Sequence, residues 1–302
     1  MNRFYQDEQR IPKVLKIATI IIVAGELCCG IAGLILGRDF FFVGESLWAI
    51  AGFVLLLFHA YPTLGWKNCL WIMLIVGGVG FIMECLGCNF GLFFSKYIYL
   101  DYIPGPKLFG FNVYSAVAYA IGGYIIWGTV RSAVGQYNRP MNKKDLIFMP
   151  LLGSILLSAV DLATDPYLST IHQTHYWEET GVYYGIPWQN YLGWYLMAYI
   201  FYLLIAIVIY NSEKHNTIPA QPVYTQKKSF WIYPPVLYMS LLFQLPFYAL
   251  IDNQEIYTTL SHGEAFTGGQ IYKGVFIIML AAMAGPAIQA IARVVNDDRL
   301  VD

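Results

Sequence analysis

Long apolar runs recur from one end of this chain to the other, and no other feature narrows its possible folds as much. A helix that crosses a bilayer needs about 20 consecutive, mostly apolar residues. Stretches of that kind lie at 14–36, 44–62, 68–87, 111–130, 146–163, 188–210, 230–251 and 271–293. Inside hydrocarbon no water can pair a free backbone N–H or C=O, so each stretch must be helical through its crossing. Composition points the same way: only 12% of the 302 residues are charged, against roughly a quarter in soluble domains. The pattern predicts an all-α fold, a polytopic transmembrane helical bundle of about eight spans, with 1–302 forming a single integral-membrane domain. A net charge of −1 offers no basic field for nucleic acid. The first run follows Arg3 and Arg10 with no small-residue cleavage site, and reads as a retained helix rather than a signal peptide.

Charge in the loops sets an expected orientation. With the N-terminus inside, 14 of the 18 Lys and Arg fall on the cytoplasmic side, and only Arg38, Lys96, Lys107 and Lys273 fall on the other. That bias predicts both termini cytoplasmic, in a multi-pass protein of the cell membrane in contact with lipid. The five cysteines, Cys28, Cys29, Cys69, Cys85 and Cys88, sit in or beside apolar runs. An odd number so placed is no disulfide framework. The lone C-x-x-C of Cys85 and Cys88 lacks the second pair of a zinc site.

Acidic residues inside spans are costly, and by default they mark function. Glu26, Glu45, Glu84, Asp161 and Asp252 stand out. Glu26 reads equally as an interhelical hydrogen-bonding group, and Glu45 and Asp252 read as hydrated interface residues. Glu84, Asp161 and Asp165 are the functional candidates. Asp161 and Asp165 are four residues apart and share one face if the helix runs through both. Pro166 is then expected to end that helix. The predicted topology puts Glu45, Glu84, Asp161, Asp165 and Asp252 toward the non-cytoplasmic side, together with the long loops 88–110 and 164–187. Those loops and their edges are dense in aromatics: Tyr97, Tyr99, Tyr102, Tyr176, Trp177, Tyr183, Tyr184 and Trp188. A half-buried, aromatic-walled pocket with several carboxyl groups near one interface is the expected arrangement. His172 and His175 form an H-x-x-H near Glu178 and Glu179. A solvated loop is the preferred reading there, and no metal is assigned.

Two stretches carry a family resemblance. The first runs from Gly80-Phe81-Ile82-Met83-Glu84 through Gly87, Gly91 and Phe94 to Tyr97-Ile98-Tyr99, then Gly105-Pro106-Lys107-Leu108-Phe109-Gly110. The second is Asp161-Leu162-Ala163-Thr164-Asp165-Pro166, then Tyr176-Trp177, then Gly181-Val182-Tyr183-Tyr184-Gly185-Ile186-Pro187, Asn190 and Gly193-Trp194. In this order and spacing, the two resemble the membrane carotenoid biosynthesis family of CruF type, the carotenoid 1,2-hydratases and bisanhydrobacterioruberin hydratases. The resemblance implies a hydratase, a carbon–oxygen lyase that adds water to the terminal isoprene C=C of a long acyclic or monocyclic carotenoid. The product is a tertiary alcohol. It also implies redox-neutral chemistry with no cofactor.

Such a reaction needs an acid at carbon, a wall for a cation and a positioned water. A carboxyl group surrounded by hydrocarbon keeps its proton at neutral pH. The expected general acid is Asp161 or Asp165, and Glu84 is its partner in activating water or tuning the acid. Asn190 is expected to orient the water. Aromatic faces stabilise a cation through the ring quadrupole, which assigns Tyr97, Tyr99, Trp177, Tyr183, Tyr184 and Trp194 to the substrate wall. Lys107 joins the substrate-binding candidates, pairing a carboxylate or anchoring at the interface. Carotenoid end-group cyclisation, prenyl transfer and pigment or lipid transport remain open as alternatives.

Overall fold

The apolar runs are helical in the computed structural model, which describes residues 10–101, 105–137 and 139–302; Arg3 and Tyr102 lie outside the described residues. The helices are α1 Lys13–Leu36, α2 Phe41–Leu55, α3 Tyr61–Phe90, α4 Val113–Val134, α5 Asp145–Asp165, α6 Trp188–Lys214, α7 Lys228–Tyr238, α8 Leu245–Ala249, α9 Gly268–Met279 and α10 Gly285–Val295. Wider π turns at Leu56–Ala60 and Leu280–Ala284 join α2 to α3 and α9 to α10, and a third, Pro166–Ile171, prolongs α5. Among the described residues, six continuous helical stretches are long and apolar enough to cross a membrane. Their outer faces are apolar too: Ile17, Ile20, Ile21 and Ile35 of α1 are all exposed. An apolar exterior of that extent suits lipid rather than water.

One of the six stretches, Phe41–Phe90, is 50 residues long. Straight, it would measure about 75 Å, far beyond a hydrocarbon core of about 30 Å. It breaks at Gly65, whose φ of 78° and ψ of 160° are not helical. Only glycine adopts such angles without strain. A Cβ there would also meet Pro219 Cδ at 2.7 Å. The break folds α2 and α3 into two arms, which supply the expected spans 44–62 and 68–87.

The expected span 230–251 is not one continuous helix. Pro234 and Pro235 lie inside α7. Each proline lacks the N–H that a helix needs, and the path continues as a tight turn over Ser240–Phe243 before α8. At Pro166 the α-helix of α5 ends, as expected, and the chain then winds on through a π turn to Ile171. The wider turn moves the hydrogen bonding one residue out, as His172 N–H bonds to Tyr167 O at 2.8 Å, and Tyr183 Oη donates to Leu162 O, the carbonyl that Pro166 has no N–H to meet.

The contacts sort the chain into two ends. At one end Arg131 donates to Thr63, Gln136 to Glu213, and Tyr137 to Asp297. This end holds most of the basic residues. At the other end Asp39 meets His172 and Tyr272, and the long loops meet each other. Strand β1 (Tyr97–Tyr99) pairs antiparallel with β4 (His175–Trp177). Two further two-stranded ribbons, β2 (Lys107–Leu108) with β3 (Phe111–Asn112) and β5 (Ile256–Thr258) with β6 (Ala265–Thr267), flank it.

Candidate functional site

A cavity of about 930 Å³ opens beneath the β1–β4 ribbon, between α2, α3, α4, α5 and α6. Three buried carboxyl groups reach its wall: Glu84 from α3, and Asp161 and Asp165 from α5. They are 3%, 6% and 6% exposed. Asp161 and Asp165 do share one face, because α5 stays helical through Asp165. Asn190, in the first turn of α6, faces both. Its Nδ2 donates to Asp161 Oδ2 at 3.0 Å and to Asp165 Oδ2 at 2.7 Å. One amide therefore clamps two acids. Glu84 is held differently, accepting hydrogen bonds from Tyr97 Oη and from Tyr119 Oη.

The ribbon supplies the aromatic lid. Its register sets Tyr97 opposite Trp177 and Tyr99 opposite His175. Residues two apart on a strand share a face, and so do directly opposed residues. These four side chains consequently point the same way, and all four line the cavity. Their rings interlock, with centroids 5.3 Å apart for Tyr99–His175 and 4.9 Å for His175–Trp177. Trp177 Nε1 donates to Phe94 O at 3.0 Å, so its buried N–H is satisfied. Trp194, one helical turn beyond Asn190, stands edge-on to Tyr119 at 5.2 Å. The loop before β1 reaches this depth because α6 is bare at Gly193, where a Cβ would sit 2.5 Å from Phe93 O.

Of the residues expected at the site, Glu84, Asp161, Asp165, Asn190, Tyr97, Tyr99, Trp177 and Trp194 come together around this cavity. Three do not. Tyr183 turns its hydroxyl to Leu162 O at 3.2 Å, and Tyr184 donates to Gln270 O at 3.0 Å. Both brace the turn before α6, whose tight path through Gly185 aims them away from the acids. Lys107 Nζ binds Tyr99 O, Leu100 O and Asp101 Oδ1. It fastens the loop after β1 and pairs none of the cavity acids.

The reading of the H-x-x-H as a solvated loop also needs correction. His175 is only 6% exposed, because pairing of β4 with β1 draws it over the cavity. Burial lowers its imidazole to about 4, from an ordinary 6.5, which leaves it neutral at pH 7. His172 lies at the rim, with Nε2 2.9 Å from Asp39 Oδ1. Glu45 also lines the cavity, with Oε1 buried and without a hydrogen-bond partner among the described residues, where a hydrated position was expected. Glu26 is fully buried, and among the described residues neither carboxyl oxygen has a hydrogen-bond partner. Asp252 is exposed, as expected.

Tyr119 escaped the sequence reading. A usable signal existed: Asn112, Ser115 and Tyr119 follow helical spacing at the start of an otherwise apolar span, and all three line the cavity. Toward the outside, the cavity wall includes the exposed Phe42 and Ser46 of α2 and the exposed Tyr114 and Ala118 of α4. The cavity thus opens sideways between two helices whose outer faces are apolar.

A family model described as carotenoid biosynthesis protein matches residues 44–251. That stretch spans the cavity wall from α2 to the end of α8 and includes Glu45, Glu84, Asp161, Asp165, His175 and Asn190. No curated protein and no solved structure matches the chain.

Proposed function

The chain belongs to the carotenoid biosynthesis protein family, and on that premise we propose that it hydrates the terminal isoprene double bond of an acyclic or monocyclic carotenoid to a tertiary alcohol. One observation carries this reading: Glu84, Asp161 and Asp165 converge, out of bulk water, on one aromatic-walled cavity. Hydration of a trisubstituted alkene starts with a proton delivered to carbon. Asp161 and Asp165, bridged by the Asn190 amide, are placed to share one proton, as paired carboxyls do. Either can act as the general acid. Protonation leaves a tertiary cation, and the faces of Tyr97, Tyr99, Trp177 and Trp194 offer it electron density without a strong nucleophile. Glu84, anchored by two tyrosine hydroxyls, contributes a fixed negative or polar neighbour to that cation.

Placement supports the same reading. An extended C40 polyene is comparable in length to the hydrocarbon core of about 30 Å. A cavity at one end of the bundle meets the chain's terminus where water is available. The sideways opening between α2 and α4 suits a substrate dissolved in lipid. The reading keeps the basic end of the bundle in the cytoplasm.

The test is expression in a host that accumulates acyclic carotenoids, followed by mass spectrometry of the pigments. A gain of one water supports hydration. An isomer of unchanged mass would replace it with cyclisation, and an added prenyl unit would replace it with prenyl transfer. Unchanged pigment in membranes shown to contain the folded protein would overturn the enzymatic reading.

A further inference from the structure

Hydration leaves a second proton to be placed. When water attacks the tertiary cation, the new C–O bond forms on an oxygen that still carries both hydrogens, and one must leave. The clamp and the tyrosines account for the first proton, but none of them explains the buried histidine of the lid.

The hydrogen bonds around His175 accommodate the tautomer that a base needs. Thr174 Oγ1 lies 3.0 Å from Leu168 O and 2.9 Å from His175 Nδ1. Its one hydrogen can go to the carbonyl while its lone pair accepts from Nδ1–H. In that tautomer the imidazole presents a bare lone pair at Nε2. That nitrogen stands 4.0 Å from Asp165 Oδ1. The gap is too long for a hydrogen bond, yet a water oxygen about 2.8 Å from both atoms fits at the apex of the triangle. Tyr97, Tyr99 and Trp177 hold the ring plane from three sides.

We infer that His175, with its hydrogen on Nδ1, is the general base of this site: its Nε2 takes the proton from the attacking water and returns it to the Asp161/Asp165 pair. The inference rests on the hydratase reading. The steps balance within the cavity. The carboxyl group gives its proton to the alkene carbon and becomes a carboxylate. Water's lone pair forms the C–O bond, one O–H bond breaks, and that proton passes to Nε2. The imidazolium then stands 4.0 Å from a carboxylate, which stabilises it and receives the proton back. No proton is drawn from outside, and the sum is alkene plus water giving alcohol.

Heavy water separates the two halves of the reaction. In D2O the first step is reversible: the cation can lose a proton back to the carboxylate, leaving deuterium at the vinyl carbon of recovered substrate. H175N keeps an amide where Nδ1–H met Thr174 but has nothing at Nε2. It should lose about 100-fold or more in hydration, within the range typical of a general base, while still exchanging deuterium into the substrate. H175Q, whose amide reaches the Nε2 position without a basic nitrogen, is the second variant and should behave alike. D161N/D165N should lose both exchange and hydration. Hydration by H175N and H175Q at the wild-type rate would overturn the base role. So would loss of exchange along with hydration in either variant when its thermal unfolding matches wild type. A wild-type protein that fails to hydrate at all is a failure of the hydratase reading instead, and is seen before any variant is made.

Discussion

Asn190→Leu removes the clamp while keeping the side-chain skeleton, since leucine branches at the same carbon as asparagine and has the same number of heavy atoms. The structural loss is specific: two N–H···O bonds, of 3.0 and 2.7 Å, to Asp161 and Asp165. Hydrogen bonds to charged groups are worth about 1.5–3 kcal/mol each, and neutral ones about 1 kcal/mol. Both here come from one amide to carboxyls that are out of water, so a combined loss of about 2–3 kcal/mol is expected. If the clamp aims the acid in the transition state, that loss appears in the barrier. Each 1.36 kcal/mol is tenfold, so kcat/KM should fall about 30- to 150-fold. The assay is turnover of an acyclic carotenoid by purified protein in lipid, with hydrated product separated by chromatography. Asn190→Asp serves as a second probe. It replaces the donor with a third carboxyl beside two others and should fall further. N190L turnover within about threefold of wild type would refute the reasoning, because an acid that needs no clamp is not oriented by one.

Glu84→Gln keeps the shape but leaves one acceptor oxygen where two served Tyr97 and Tyr119; turnover of the same carotenoid should drop about 100-fold, with substrate still retained in a binding assay. Gly65→Ala forces a side chain onto a φ of 78° and against Pro219; a cost of about 1–3 kcal/mol is expected, read as a lowered thermal midpoint of the purified protein. His175 also predicts a pH dependence of stability. Its folded value of about 4 lies below the ordinary 6.5, so the unfolded chain binds the proton more tightly. Its contribution is intact above pH 6.5 and is lost as pH falls from 6.5 toward 4. Midpoints measured across that range should decline more steeply in wild type than in H175N, with Asp165, Tyr97 and Tyr99 facing position 175 in both.

The membrane fold was legible because hydropathy is local. A run of apolar residues long enough to cross must be helical wherever it sits in the bundle. The same locality exposed Glu84, Asp161 and Asp165, since a carboxyl within an apolar run signals its own cost. Spacing alone was enough to align Asp161 with Asp165. A residue's role is hidden from the sequence where it depends on a distant partner. Pro166 ends the α-helix, but the π turn that prolongs the winding beyond it was not visible in the sequence. Tyr183, Tyr184 and Lys107 sit in the right motifs, yet the two tyrosines end on backbone carbonyls and Lys107 on two carbonyls and the Asp101 carboxylate, none of them a cavity acid. Tyr119 has the chemistry of any interfacial tyrosine until α3 brings Glu84 beside it.

From the amino-acid order alone came the helical bundle, the acids worth watching and the family. Each rests on a property that one residue or one helix turn carries by itself: transfer into hydrocarbon, the cost of an embedded charge, a motif at fixed spacing. The three-dimensional arrangement decided how the acids are wired. The reversal at Gly65 sets Glu45 and Glu84 on one cavity, α6 folds Asn190 against two aspartates, and the β1–β4 register turns His175 inward. Those outcomes follow from contacts between residues tens of positions apart, where a shift of one residue in register would send every lid side chain to the opposite face.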